Sequence, residues 1–530
     1  MLSFYIVIAV LVALNLLLEY KRDLMMLQQN SYRNQRYRKW LSTSGDSTSV
    51  WRLGGLILFF MSLTGFGLEL IALPLIGLFS GAHAGVLASK KYKLPLVWTK
   101  RAMRIYSVYV VLAAVITFVS VMIFGSESLI SAFQVASIAL LACYCGSHIL
   151  IMLANILLIP VEKSINRGYY NDAAARLASM PDLKIIGITG SFGKTSTKHY
   201  LHRILSEQFD TLMTPGNFNT DLGVIRTIRE YLKPYNEVFI VEMGAKEVGD
   251  IKVICDLVHP TVGVVTAVGP MHLETFKSIE NIQSTKFELV DSLPADGLAV
   301  INNDFELIEN RKVDNVNCVR YAVKHQDGAQ LVAENISYSH AGTDFIAKSA
   351  DGWSLKLHTR LVGECNISNL LAAVAVARHL GVSDEKIKYA VGEIEQVEHR
   401  LSIKRAPGGV IVIDDAYNSN PVGSAMALDV LAGMKTGRRV VVTPGMVELG
   451  ERTYELNRSF GEKIADAADI AVVVCRYNRD AIMEGIKSKG MSPDCVYTVD
   501  TFTDAQKLLA TMLKAGDTVL YENDLPDTFK

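Results

Sequence analysis

The sequence predicts an α/β protein with N-terminal transmembrane helices, a phosphate-loop central domain and a C-terminal Rossmann-like domain. Three observations predict it. Apolar residues crowd the first third of the chain. Lys184–Thr189 reads as a short buried strand that breaks into a glycine-rich turn ending in Lys194 and Thr195. From there to the end, strand-like runs alternate with helical ones, the pattern of a mostly parallel sheet covered on both faces.

Composition narrows the class. A chain of 530 residues has room for several domains, and a net charge of -1 argues against a nucleic-acid partner. Half the residues are hydrophobic and mean hydropathy is +0.24. The seven cysteines are scattered without metal-ligand spacing, so neither a zinc site nor a disulfide scaffold is expected. The expected domains are 1–160, transmembrane with cytoplasmic basic loops; 161–181, a connector helix; 182–397, the central ATP-binding domain; and 398–530, the Rossmann-like domain.

In the first third, Phe4–Leu18 is apolar except for Asn15, and a basic segment with interleaved Tyr32, Tyr37 and Trp40 follows. Gly54–Val86 is apolar again, with Glu69 its only carboxylate. A second basic loop, Lys90 to Arg104, precedes spans at Tyr106–Phe124 and Leu129–Leu158. The positive-inside rule puts both basic loops in the cytoplasm. Gly54–Val86, at about 33 residues short for two full spans, then becomes a tight hairpin turning at Leu73-Pro74. The spans are expected to bury almost no charge, which argues against a transport path. Glu162–Met180 reads as an amphipathic connector.

Gly190, Ser191, Gly193, Lys194, Thr195 and Ser196 form the candidate phosphate site. Glycines let successive N–H groups point at a phosphate, the helix start adds its dipole, Lys194 adds charge, and the Thr195 hydroxyl can hold Mg2+. The common phosphate-loop pattern has glycine where this chain has Ile188. The strand 237–242 ends on Glu242, a carboxylate where a Mg2+ ligand is needed. Residues 310–360 lose the alternating rhythm and look like short strands and turns. Read alone, His272 is an ordinary structural histidine and Lys286 a solvated helix lysine.

The series Gly187-Ile-Thr-Gly-Ser-Phe-Gly-Lys-Thr-Ser-Thr197, Asn217-Phe-Asn-Thr-Asp-Leu-Gly223, Glu242-Met-Gly-Ala-Lys246, Val268-Gly-Pro-Met-His-Leu-Glu274 and Thr285-Lys-Phe-Glu288 resembles the Mur ligases. So do His399-Arg400, Asp414-Asp-Ala-Tyr-Asn-Ser-Asn-Pro421 and Gly445-Met-Val-Glu-Leu-Gly450. These ATP-dependent enzymes add amino acids to peptidoglycan precursors. The pattern is nearest to the member that adds a D-alanyl-D-alanine dipeptide, and it covers about residues 182–525.

The resemblance implies activation of a carboxylate as an acyl phosphate, then attack by an amine. It gives Lys194 to the phosphates, Thr195 and Glu242 to the nucleotide Mg2+, and His272 with a carbamylated Lys286 to a second Mg2+. Arg400 would reach the γ-phosphate, Asp415 the ribose, and Asn366 and Asn369 the nucleotide; Asn418 and Asn420 would line the site. Lys194, Glu242, His272, Lys286 and Arg400 are the expected catalytic set.

Three departures stand out. Gly363-Glu-Cys-Asn366 replaces the family's Gly-Arg-His-Asn, and the acidic Tyr521-Glu-Asn-Asp-Leu-Pro-Asp527 replaces a basic Lys-Gly-Ser-Arg. The membrane third stands where soluble members bind the UDP-sugar, which implies an acceptor presented at the bilayer. The expected partners are ATP, Mg2+, a cell-wall peptide or lipid-linked precursor, an amino acid or dipeptide amine, and membrane lipid. The expected location is the inner (plasma) membrane, multi-pass, with the catalytic domains cytoplasmic. A polyglutamate-capsule-type ligase and an inactive Mur-like membrane scaffold stay open as alternatives.

Overall fold

The computed structural model describes residues 2–64, 69–92, 94–339, 342–417 and 419–524. It divides into two compact units, one up to Asn166 and one over Arg167–Asp524.

The first unit is helical: α1 (Leu2–Gln29), α2 (Asn34–Ser44), α3 (Val50–Leu63), α4 (Glu69–Ser89), α5 (Lys100–Phe124), α6 (Leu129–Cys145) and the start of α7 (Ser147–Ala178). Among the described residues, α1, Ile71–Ser89, α5 and α7 are long and apolar enough to cross a membrane; α3 and α6 are apolar but shorter. Phe60, Phe118 and Phe124 are 62%, 65% and 71% exposed, a surface that hydrocarbon rather than water would suit.

The helix boundaries correct the sequence reading in three places. Leu73-Pro74 makes no turn, because Pro74 lies inside α4. A proline there forfeits one backbone bond in an otherwise packed apolar helix. The chain instead leaves α3 at Leu63, before residues 65–68, which lie outside the described residues. Leu129–Leu158 is not one helix but two, interrupted at Gly146. The expected connector is no separate element either, since α7 runs unbroken through Pro160 to Ala178.

Buried charge is the larger correction. Glu19 and Asp23 on α1 are fully buried and Arg52 on α3 is 3% exposed. Arg52 lies 2.5 Å from Glu19 and 3.5 Å from Asp23. Arg22 bonds both Glu19 and Asp46, and His148 faces Asp23 and Asp46 at 3.3 Å each. The cluster surrounds the α6–α7 interruption. Arg52 donates to the Tyr144 carbonyl at 2.5 Å, and Tyr109 donates to the Ser147 carbonyl at 2.5 Å. A helix end leaves carbonyls and N–H groups without partners, a cation suits the C-terminal end, and an anion suits the N-terminal end. Arg52 meets that need at the end of α6, while Asp23 and Asp46 face the His148 side chain in the first turn of α7. In the sequence these charges flank apolar runs; packing brings the flanks inside.

The second unit holds two sheets. The first comprises β1 (Lys184–Thr189), β2 (Thr211–Met213), β3 (Val238–Glu242), β4 (Val262–Val265), β5 (Leu298–Asn302), β6 (Asn317–Ala322), β7 (Leu331–Ser339), β8 (Gly342–Ser349) and β9 (Ser354–Thr359). Their order is β2-β3-β1-β4-β5-β6-β7-β8-β9. Pairing is parallel through β7 and antiparallel from β7 to β9. Residues 310–360 therefore extend the same sheet, with β7 nine residues long. The strands β3, β4 and β5 are buried at every position, as expected of a sheet covered on both faces.

The second sheet has order β10-β11-β15-β12-β13-β14, from β10 (Ser402–Arg405), β11 (Ile411–Asp415), β12 (Arg439–Thr443), β13 (Ile470–Val474), β14 (Val496–Val499) and β15 (Thr518–Glu522). Only β10 runs antiparallel to its neighbour. The short β2 and β10 have no counterpart in the sequence reading. Helix α8 (Lys194–Leu205) packs against the alanine-rich helix Glu364–His379, whose small side chains permit close approach.

Replacing Arg52 by Ala removes the cation that Glu19 and Asp23 share, leaving Glu19 to Arg22 and Asp23 to His148, and should cost about 3 kcal/mol. A large fall in the thermal midpoint of the detergent-purified protein measures it; an unchanged midpoint contradicts this account of the cluster.

Candidate active site

The phosphate loop connects β1 to α8, and sterics fix its backbone. At Gly190 (φ +149) a Cβ would lie 2.1 Å from the Thr266 hydroxyl, and at Gly193 (φ +82) 2.6 Å from Asn369 Oδ1. Both positions therefore exclude a side chain. Ser191 is tied into the neighbouring loop, its N–H donating to Ala267 and its hydroxyl to Gly269, at 2.8 and 3.0 Å. Lys194 folds back to donate to the Gly190 and Ser191 carbonyls at 2.6 and 3.3 Å. Burial pulls its ammonium down to about 8.

Glu242, at the C-terminal end of β3 and 1% exposed, is the most heavily held group. Thr195 and Asn219 donate to its Oε1 at 3.1 and 3.0 Å, and the Lys198 ammonium lies 2.9 Å from Oε2. Burial alone would raise this carboxyl, but Lys198 and Lys194 hold it below its ordinary value. A hydroxyl beside a charged carboxylate is a hard oxygen donor pair, which fits Mg2+.

His272 and Lys286 lie on neighbouring elements. His272 precedes the short helix Leu273–Phe276, with its Nδ1 against the Glu448 carboxylate of the second sheet's domain. Burial keeps His272 below its ordinary value, against the pull of Glu448. Lys286, on the helix Ile279–Asp291, is 3% exposed with its ammonium 5.8 Å over the Phe276 ring. Burial, then the charge of Lys194, brings it down to about 7. A substantial fraction is thus the free amine, the form that can take up CO2 as a carbamate. The sequence alone gives a solvated lysine here; the structure buries it.

From the second sheet, Arg400 donates to Thr195 at 3.4 Å and stacks 4.0 Å over the Tyr417 ring, while Tyr417 accepts from Asn217 at 2.6 Å. Between the two sheets lies a cavity of about 240 Å³. Of the expected nucleotide residues, Gly193, Ser196, Asn366, Asn369, Arg400 and Asp415 line it. Phe192 and Phe305, in edge contact, supply apolar wall. The departures sit at the same cavity: Cys365 lines it, its thiol pushed up to about 12 by burial, and Glu364 pairs with Lys324 at 2.7 Å on its edge.

Not every expected residue faces the cavity. Gly190, Ser191, Lys194, Thr195, Glu242, His272 and Lys286 lie outside its lining. Asn420 lines it but also caps the helix Pro421–Ala432, accepting from Val422 and Gly423 at 3.2 and 2.9 Å. Asn418 lies outside the described residues. Sequence reasoning missed Lys198, Asn219, Tyr417 and Glu448. For Lys198 a signal existed, since it stands one helical turn after Lys194.

A phosphate loop facing a second α/β sheet across a cavity defines a two-domain phosphate-loop protein. Residues 188–377 match the Mur ligase middle domain, and residues 399–521 the Mur ligase glutamate ligase domain. The chain belongs to the Mur ligase family.

Similar proteins include the UDP-N-acetylmuramoyl-tripeptide–D-alanyl-D-alanine ligase of Escherichia coli, 32% identical over 57% of this chain and 66% of that enzyme. The Mycobacterium bovis ligase of the same name is 31% identical over 64% of this chain and 70% of its own length. The solved structure of the Thermotoga maritima ligase MurF in complex with ADP matches with a TM-score of 0.60 and 26% identity, over 68% of this chain and 80% of that one. The chain spans only 60% to 66% of the length of the Bacillus subtilis, E. coli and Haemophilus influenzae enzymes.

Asp415 and Glu522 pair side by side at the ends of β11 and β15. Burial raises Asp415 to about 6, and burial with the Asp415 charge raises Glu522 well above its ordinary value. Unfolded, both titrate near 4, so the native state holds protons that the unfolded chain has lost. Their stabilisation is complete below pH ~4 and is lost as pH rises through about 6 and beyond. Thermal midpoints of the nucleotide-free protein should fall between pH 5 and 8, and fall less in Glu522→Gln; identical slopes would contradict the pairing.

Proposed function

We propose that the chain is a membrane-anchored, ATP-dependent carboxylate–amine ligase acting in peptidoglycan precursor synthesis or modification. The observation that carries the reading is the joining of Lys194, the Thr195–Glu242 pair and Arg400 at one phosphate loop. Four long apolar helices support the anchoring and a multi-pass plasma-membrane location, with the catalytic domains cytoplasmic.

A free carboxylate is a poor acyl donor, so the γ-phosphoryl group of ATP passes to it first. The amine then attacks the acyl carbon, the amide forms and phosphate leaves. Loop N–H groups and Lys194 hold the phosphate oxygens, and Arg400 meets the charge that develops during transfer. The cavity between the sheets takes the nucleotide, with Asn366 and Asn369 beside it and Asp415 at the ribose. Thr195 and Glu242 would hold the nucleotide's Mg2+, and His272 with carbamylated Lys286 a second one; bound there, Mg2+ neutralises oxygen charge. In the catalytic unit as folded, Lys198 and Asn219 keep Glu242 ionised and aimed at Thr195.

The acceptor is a cell-wall peptide presented on a lipid carrier, since an apolar bundle stands where soluble members bind the UDP-sugar. The amine is an amino acid or dipeptide. The acidic stretch from Tyr521, in place of a basic clamp, disfavours the free carboxylate of D-alanyl-D-alanine and favours an amine with additional positive charge.

Phosphate release by the full-length protein in nanodiscs, with ATP and Mg2+, tests the reading. Lipid-linked precursor plus amino acids should give turnover, and UDP-N-acetylmuramoyl-tripeptide plus D-alanyl-D-alanine much less. Faster turnover on the soluble pair would overturn the lipid-linked acceptor, and silence on every pair despite ATP binding would overturn the ligase. Lys194→Ala should cost about 10²–10³-fold. Lys286→Ala should lose activity and regain part of it with added short carboxylates, which stand in for the carbamate; a full-rate variant would contradict that role.

A further inference from the structure

Glu448 has no part in the reading above, yet its carboxylate meets His272 from the opposite domain. It sits in the loop Gly445–Gly450 that follows β12, and the loop is held from all sides. The Met446 N–H donates to the Asn457 side-chain oxygen at 2.8 Å, the Asn457 side-chain amide donates to the Met446 carbonyl at 3.0 Å, and Asn478 donates to the same carbonyl at 3.1 Å. Asn523 donates to the Gly445 carbonyl at 2.6 Å, and Met446 and Leu449 are 0% and 2% exposed. Glu448 itself adopts φ +61 and His272 φ +52, left-handed backbone that non-glycine residues rarely take. Such conformations persist only where surrounding contacts over-determine them. The Glu274 N–H, donating to the Glu448 carbonyl at 3.4 Å, ties the two loops together.

A neutral imidazole carries one N–H and one lone pair, and the partner of one nitrogen decides what the other can do. An ionised carboxylate only accepts. Glu448 therefore calls for the proton on Nδ1 and leaves the Nε2 lone pair free, the form in which histidine ligates a metal.

We propose that Glu448 is a positioning residue: it fixes the His272 tautomer and ring for the second divalent cation, and does so only when the C-terminal sheet is docked on the central one. The inference rests on the reading of His272 as a metal ligand. Docking of the amine-side domain and cation binding at the acyl site are then one coupled event, because the carboxylate and the imidazole belong to different domains.

Mn2+ titration followed by electron paramagnetic resonance tests it, on the full chain in nanodiscs with bicarbonate and a non-hydrolysable ATP analogue. The wild type should bind two Mn2+ ions, the tighter one with the nucleotide at Thr195 and Glu242. Glu448→Ala should weaken the second about 10–100-fold and leave the first unchanged. Glu448→Gln, whose amide oxygen still accepts, should fall between them. In His272→Ala the second ion should be lost, with no further effect of Glu448→Ala. Equal affinities in Glu448→Ala and wild type overturn the proposal while sparing His272 as a ligand. Equal weakening of both ions also overturns it, since that marks a general loss of docking. A wild type with one Mn2+ takes down the His272 reading and the proposal together.

Discussion

An ionised carboxylate buried at the end of a strand needs several partners at once, and the central domain is arranged around that need. Glu242 gathers Thr195 and Lys198 from α8, Asn219 from the loop after β2, and the strand it terminates. Each partner fixes an element. Thr195 and Lys198 set the rotation of α8 over β3, Lys198 also ties the Gly216 carbonyl at 2.7 Å, and the Thr214 hydroxyl accepts from the Glu242 N–H at 3.1 Å. With α8 fixed, its first turn and the preceding loop have one place to go. Asn369, from the neighbouring helix, then fills the space where a side chain at Gly193 would stand.

The cleft follows from the same arrangement. The helix Glu364–His379 packs on α8 and brings Asn366 and Asn369 to the loop, with Asn366 accepting from Tyr200 at 2.8 Å. Across the gap, Leu401 donates to Asp415 at 3.0 Å, which sets the short turn carrying Arg400. Two rigid faces are thus held by bonds that do not involve a ligand.

Much of this was legible in the sequence because it is local. Lys184–Thr189, Arg439–Thr443 and the start of α8 at Lys194 follow directly from apolar runs and glycine punctuation. What failed to show was whatever depends on distant partners. Lys286 reads as solvated because a lone lysine on an amphipathic helix is assigned to the polar face, whereas tertiary packing places Phe276 under its ammonium. Glu448 sits in a recognisable motif, but no spacing rule says it will meet a histidine 176 positions earlier in the chain. The strands β2 and β10 are three and four residues long, too short for periodicity to register. The break at Gly146 hid inside a largely apolar run, because the groups that bond its carbonyls come from α3 and α5.

The charges buried among α1, α3 and α7 bear on how this chain is made. For a bundle that crosses a bilayer, as proposed, Glu19 and Asp23 emerge from the ribosome before Arg52, and His148 later still. An unaccompanied carboxylate in hydrocarbon is expensive. Arg22 of the same helix already pairs with Glu19, but Asp23 waits for Arg52 of the third helix, and the seam is complete only when α7 brings His148. Insertion of this region is a concerted act by segments translated more than a hundred residues apart, with the protein's own later helices serving as the solvent for its earlier ones.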